Sequence, residues 1–482
     1  MQVFYPWAAR RATFGRDKQY IKDVPVVTNA PIPSLPEVNR SVSVRGTHWF
    51  RRMLAFVGPG YLVSVGYMDP GNWATDLLGG SKFGYALLWV ILVSNLMAML
   101  LQTLCARLGL VTGKDLAQAC RDYFPRPVAW ALYILCEIAI ICTDIAEVIG
   151  SAVALKLLFN LDLSWGILIT GFDVLLLLGL MQFGFRKIEA LIVALVITIF
   201  GCFALNVFWA KPDMGGIARG LVTPSLPDNF ALLTAVGILG ATVMPHNLYL
   251  HSAIVQTRSH EQSPEGTREA IRASTVDTIV ALGFAFFVNA GILILAAAVF
   301  HPKGVVVDDL ARAHELLTPM LGGTSAVLFA LALLCSGQSS TVTGTLAGQI
   351  VMEGFMRWRI EPWLRRLITR ALAIVPALLI VQGGGAGKTA ELLTLTQVAL
   401  SMQLPFAIIP LIMFTSDRSK MGEFTSAGWM IALAILSALM IIGLNVYLLY
   451  SSFGAGWIGL GVSILLAFAA WVRWGYKPRT TT

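Results

Sequence analysis

The sequence predicts an all-α integral membrane protein, built as an inverted repeat of five plus five helices with the first and sixth broken and two peripheral helices added. Three observations carry this reading. The 482 residues are 56% hydrophobic and only 13% charged, well under the ~25% charge of soluble domains. The apolar residues gather into about twelve stretches long enough to cross a bilayer. Two of these stretches, one in each half of the chain, are interrupted at a proline by matching motifs, Met68-Asp69-Pro70-Gly71-Asn72 and Val243-Met244-Pro245-His246-Asn247.

The elements follow in order. Residues 1–50 form a polar tail in which Pro31, Pro33 and Pro36 argue for an extended or disordered chain. The tail lacks the apolar core of a signal peptide, so the first span must serve as the insertion signal. Spans are expected near 52–80, 85–108, 128–158, 164–183, 187–210, 228–255, 275–300, 324–355, 366–383, 389–415, 427–450 and 455–474. Only Ser451–Gly456 divides the last two.

The connecting loops alternate in charge. One set holds Arg107, Lys114, Arg121 and Arg126, then Arg186 and Lys187, then Arg258, Arg268 and Arg272. It continues with Arg357 and Arg359, Arg418 and Lys420, and Lys477 and Arg479, and the tail joins it through Arg10, Arg11, Arg16, Arg40 and Arg45. The other loops are poorer in Lys and Arg. The positive-inside rule then places both termini in the cytoplasm of a multi-pass cell-membrane protein, which requires an even number of spans. The same rule accounts for the net charge of +8, so nucleic acid is not a partner; the bilayer is.

The first ten spans divide into 51–210 and 211–415, with 416–482 as the addition. An odd number of spans per repeat inverts the second copy, which is the logic of the LeuT-type architecture. A proline in mid-span frees backbone carbonyls that lipid cannot satisfy. Such breaks persist where they line a buried site, and a matched pair points to a transporter's binding site.

Aligning the breaks sets Pro70 on Pro245, Asn72 on Asn247 and Asp69 on Met244. A charge such as Asp69 at mid-membrane costs at least ~2.5 kcal/mol unless paired or solvated. Asp-Pro-Gly is also a common helix-capping turn, but the depth in an apolar span favours a functional carboxylate. Asn72 offers an oxygen to a metal and an amide to the freed backbone. Pro245 cannot donate to the carbonyl of Ala241, which is thereby free to coordinate. Met244 brings a thioether, a poor ligand for Mg²⁺ or Ca²⁺ that suits Mn²⁺, Fe²⁺ and softer ions. Gln397 in span ten is a further oxygen ligand. His246, beside this set, suits a proton role.

Span three carries Glu137, Asp144 and Glu147 towards one helical face, which offers either a track for protons or a structural acid pair held by backbone or amide donors, with Glu137 the weakest member. Arg365 and Arg366 read as boundary residues that snorkel, whereas Arg370, a turn deeper, reads as the partner of an acid. The Ser336–Thr345 run in span eight reads as helix-packing glue. Asp173 in span four has no evident role. The six cysteines form no Cys-x-x-Cys pair, which speaks against a thiolate site. There is no Walker A motif for ATP, no His-Glu-x-x-His and no nucleophile–base constellation. The chain reads as no enzyme and needs no permanently bound cofactor.

At these residues the chain resembles the Nramp (natural resistance-associated macrophage protein) family of proton-coupled divalent metal transporters. Asp69-Pro70-Gly71-Asn72, Met244-Pro245-His246-Asn247, Thr143-Asp144-x-Ala146-Glu147, and the Gly337–Gly348 stretch with Met352-Glu353-Gly354 carry the resemblance, over about residues 50 to 420. It implies metal binding by Asp69, Asn72, the Ala241 carbonyl and Met244, with Gln397 joining in some states. It implies proton handling through Asp69, His246, Asp144 and Glu147. The expected function is import of Mn²⁺ or Fe²⁺, and also Cd²⁺ and Co²⁺, with H⁺ by alternating access. The competing expectations are a sodium-coupled amino-acid symporter of the same architecture, or a cation channel; Asp69 would repel an amino-acid carboxylate, and paired broken helices favour alternating access over a pore.

Overall fold

A computed structural model of the chain describes residues 34–35, 38–43, 55–172, 184–384 and 386–453, together with Ser463 and Ala467. Asp173, most of the tail and, apart from those two residues, the expected twelfth span at 455–474 lie outside the described residues. What is described is almost wholly helical. Helices α1 (Pro59–Gly66) and α2 (Pro70–Phe83) are the halves of the first span. Then come α3 (Leu88–Thr112), the short α4 (Leu116–Tyr123), α5 (Arg126–Phe159), α6 (Leu163–Thr170) and α7 (Phe185–Ala210). The second half opens with a short α8 (Met214–Val222), followed by α9 (Asn229–Thr242) and α10 (Pro245–Ile254), the halves of the sixth span. It continues with α11 (Pro264–Val299), α12 (Leu310–Leu321), α13 (Gly323–Met356), α14 (Pro362–Gly384), α15 (Ala386–Ser416), α16 (Arg418–Met421) and α17 (Gly428–Phe453). Among the described residues, eight helical segments are long and apolar enough to cross a membrane. Helix α14, the expected ninth span, is not one of them; three arginines occupy its first half.

Both breaks fall where the prolines require them. Helix α1 closes at Tyr67 and α2 opens at Pro70; α9 closes at Val243 and α10 opens at Pro245. The interrupted helices sit at the centre, α2 against α11, α9 and α15, and α10 against α3 and α13. Helix α5 lies along α13 and meets α14 and α15. Close approach depends on glycine: a Cβ at Gly150 of α5 would run into the Pro70 ring, and one at Gly80 of α2 into the Leu293 carbonyl of α11. The aromatic wedge of the core is Trp73, edge-on to Phe203 and Phe329 at 4.8 and 5.3 Å between centroids.

The opening end of α1 is held by a buried ion cluster that the sequence did not announce. The Asp277 carboxylate of α11 accepts from Gly60 N at 2.6 Å and Gly58 N at 3.3 Å, capping α1 from another helix. Arg258, just past α10, donates to Glu189 of α7 at 2.8 Å and to the Val57 carbonyl at 2.9 Å. Arg186 adds a second cation to Glu189 at 3.1 Å. Gly58 has φ +143°, and a side chain there would strike the Glu189 carboxyl and the Arg258 guanidinium.

Part of the tail departs from the expected extended or disordered chain. Val42–Ser43 (β1) pairs in parallel with Arg258–Ser259 (β2). The Ser34 hydroxyl donates to Asp115 at 2.6 Å, and Leu35 N to Glu353 at 3.1 Å. Burial pushes the Asp115 carboxyl up to about 6, against the opposing pull of the Ser34 hydroxyl and the Gln118 amide that it caps. Prolines exclude regular structure, but they do not prevent a polar segment from docking on side chains that need partners.

Replacing Asp277 by Ala strips the cap from α1 and leaves two buried N–H groups without an acceptor. The expected cost is about 1–2 kcal/mol, read as a lower apparent Tm of the purified protein in detergent. An unchanged Tm would show that the cap contributes nothing.

Candidate metal and proton site

At the first break, the extended backbone of Asp69 points its carboxylate back over the start of α2, where Oδ1 accepts from Asn72 N at 2.8 Å. The capping role and a ligand role coexist, because Oδ2 has no hydrogen-bond partner among the described residues. The Asn72 side-chain nitrogen is the hub. It donates to Asp69 Oδ1 at 2.6 Å and to the Ala241 carbonyl at 3.1 Å, and stands 3.5 Å from the Gly66 carbonyl. Gly66 and Ala241 are the residues four before Pro70 and Pro245, so both carbonyls freed by the prolines turn to one amide. The Ala241 carbonyl, expected free, is thus engaged by Asn72.

Asn247 of the second break reaches the other way, standing 3.5 Å from the Val63 carbonyl of α1. Gln397 lies against the first break, since a Cβ on Gly71 would collide with its amide; its Oε1 has no partner among the described residues. Met244 opens α10, fully buried and packed with Ala139 and Leu400. Asp69, Asn72, Ala241, Met244 and Gln397 are all buried. Among the described residues no group of three His, Cys, Asp or Glu is placed to hold a metal. A cation site here rests on one carboxylate with neutral donors.

His246 is buried on the first turn of α10, its Nδ1 unpartnered among the described residues. The acids of α5 meet α14. Arg366 bonds Asp144 and, at 3.2 Å, Glu147. Arg370 stands 3.6 Å from Glu147. The Thr341 hydroxyl donates to Glu147 at 3.1 Å and accepts from Arg370 at 3.0 Å. Arg365 takes Glu137 at 2.8 and 3.0 Å. This corrects the expectation for Arg365 and Arg366. Neither snorkels: both are buried, and Arg366 is the residue that joins the two deep acids. Buried carboxylates draw the longer cations inward because neither sign tolerates this interior alone. Span eight is more than glue, too, since Thr341 belongs to the network and Ser336 holds the Met68 carbonyl at 2.5 Å.

Asp76 also escaped the sequence reading. It lies two turns beyond Asp69 on the same face of α2, is 1% exposed and has an unpartnered Oδ2 among the described residues. Its seven-residue spacing from Asp69 was the available signal. Asn289 of α11, which donates to the Tyr67 carbonyl at 2.7 Å, had no signal beyond being an amide in an apolar span.

Known proteins resemble this chain over most of its length. The chain is 57% identical over 431 residues to the divalent metal cation transporter MntH of Nostoc sp., covering 88% of this chain and 97% of the relative. It is 56% identical over 431 residues to that of Mesorhizobium japonicum, covering 88% and 95%. Among solved structures, the Eremococcus coleocola manganese transporter superposes with a TM-score of 0.84 at 39% identity, over 92% of this chain and 98% of the other. Mhp1, a nucleobase-cation-symport-1 transporter, superposes with a TM-score of 0.55 at 16% identity, over 82% and 93%, and shares the fold alone. The model of the natural resistance-associated macrophage protein-like family matches residues 60–451. With both breaks and the α5–α14 network inside that match, the chain belongs to the natural resistance-associated macrophage protein-like family.

Proposed function

We propose that the chain imports divalent transition metals, Mn²⁺ first and Fe²⁺, Cd²⁺ and Co²⁺ with it, across the cytoplasmic membrane in symport with protons. The carrying observation is the convergence of Asp69 Oδ1 and the Ala241 carbonyl on the Asn72 amide nitrogen, with the Gly66 carbonyl 3.5 Å away. Oxygens that gather round one N–H donor form a concave negative pocket. A divalent cation would replace that donor, and rotation of the Asn72 amide would then present its oxygen. Met244, which aligns with Asp69 in the paired breaks, would supply the sulfur that hard ions reject. The family relatives named as divalent metal cation and manganese transporters support the cargo.

Protons are assigned to Asp69, His246, Asp144 and Glu147, with Arg366 and Arg370 balancing the acids. By the positive-inside rule, the Lys- and Arg-rich loops favour the cytoplasmic side for both termini. Alternating access follows from the broken helices, whose halves can tilt independently about the breaks. Neither ATP nor a resident cofactor enters this account.

The ligand set is tested by calorimetry on purified variants. Asp69→Ala and Asn72→Ala should each abolish saturable Mn²⁺ binding in a protein that remains folded; wild-type affinity in Asp69→Ala would remove Asp69 from the site.

Selectivity is tested at the thioether. Met244→Ala should weaken Cd²⁺ uptake more than Mn²⁺ uptake and let Ca²⁺ and Mg²⁺ compete in proteoliposomes. Unchanged Ca²⁺ competition would mean that sulfur is not the filter.

For coupling, liposomes carrying an internal pH dye should acidify as Mn²⁺ enters. Glu147→Gln should diminish this acidification more than it changes metal affinity. Should Glu147→Gln, Asp144→Asn and His246→Ala all leave the metal-driven proton signal intact, the α5 acids are not the coupling path.

A further inference from the structure

Three polar anchors fix the described part of the tail, and they belong to three different places in the fold. Ser34 Oγ bonds Asp115 at the start of α4, and Gln118 of the same turn donates back to Ser34 at 3.3 Å. Leu35 N bonds Glu353 in the last turn of α13, and its side chain is 7% exposed. Arg40 N bonds the Gln256 carbonyl past α10, and Val42 pairs with Arg258. Side chains in the clefts between elements rarely engage a merely passing chain with a buried apolar plug and a β ladder.

Arg258 is the pivot. Its backbone is in the ladder with Val42, while its guanidinium holds the Val57 carbonyl and Glu189 at the entry to α1. Beyond the chain itself, Arg258 therefore links the tail to the end of the half-helix that packs on α7, α10, α11 and α13. We infer that Ser34–Leu35 and Val38–Ser43 form a strap that holds the tail-side end of α1 closed, so that undocking of the strap precedes separation of α1. The inference rests on the alternating-access reading above, in which release of metal on the tail side requires α1 to leave its neighbours. Each anchor is a hydrogen bond or a small apolar contact, weak enough to break within a transport cycle. Together they bias a two-state element without making either state permanent.

Hydrogen–deuterium exchange of the full chain in nanodiscs tests this. Ser34→Ala combined with Leu35→Asp should speed exchange on the order of tenfold across Phe56–Gly66 and Arg258–Ser259, while Asn229–Thr242 of α9 exchanges as in wild type. Ser34→Thr, which keeps the hydroxyl, should restore protection when Leu35 is native. If the double variant fails to fold, Ser34→Ala alone should move the same segments in the same direction by less. Val38–Ser43 reports whether the strap has undocked. Fast exchange there with Phe56–Gly66 unchanged overturns the inference, and so does equal acceleration in α9, which would mean general loosening. Mn²⁺ uptake by wild-type proteoliposomes is measured in parallel: its absence would count against the transport reading, whereas normal uptake with an insensitive α1 counts against the strap alone.

Discussion

Everything central in this protein depends on backbone carbonyls that two prolines have freed in an interior with no water to meet them. A hydrogen-bond acceptor cannot be left unanswered there at modest cost. The answer comes from the breaks themselves. Asn72 donates to the carbonyl four residues before Pro245, and Asn247 stands within reach of α1. This exchange obliges the first and sixth spans to lie together at the centre. It also dictates small residues around them: the amide of Asn247 lies where a Cβ of Gly66 would stand, and Gln397 lies over Gly71. The other spans pack round this pair as a wall.

The second constraint is charge. Acids and arginines lie in or near the membrane interior, among them Asp69, Asp76, Glu137, Asp144, Glu147, Arg365, Arg366 and Arg370. On α5 and α14 each acid meets an arginine, with Arg366 shared by Asp144 and Glu147. Asp69 receives only amide donors. Asp69 and Asp76 are thus left without a cationic partner among the described residues, while the acids of α5 have cations of the protein's own. On the proposed reading, that contrast would separate a place where cargo binds from a place where charge is relayed.

Much of this was legible in the sequence. The two breaks, Asp69, Met244 and the acids of span three were found because a charge or a proline in an apolar run is conspicuous. The sequence points Arg370 to an acid partner but sets Arg366 at the boundary; distance from the end of a span says little about where a long side chain ends. Asp277, Glu189 and Arg258 were invisible as a group, since they come from three elements remote in the chain and meet only once α1 is in place. The docking of Ser34 and Leu35 was invisible for a further reason: their partners Asp115 and Glu353 look like ordinary loop and helix-end acids. Periodicity reports the face a residue occupies, but not what the fold sets opposite it.

A carrier spends half of its cycle empty, and the position of the Asn72 amide bears on that half. A bare carboxylate and two carbonyls facing one another would repel, and the vacant centre would either spread apart or hold its cargo too long. With the Asn72 amide nitrogen among them, the oxygens already face a positive dipole from within the protein. On the proposed reading, the unloaded centre would stay compact; arriving metal would need only to displace a side chain from its own oxygens, and departing metal would leave behind a donor able to return to them. The same asparagine that mends the broken helix would thereby, on the proposed reading, also ease the empty return stroke.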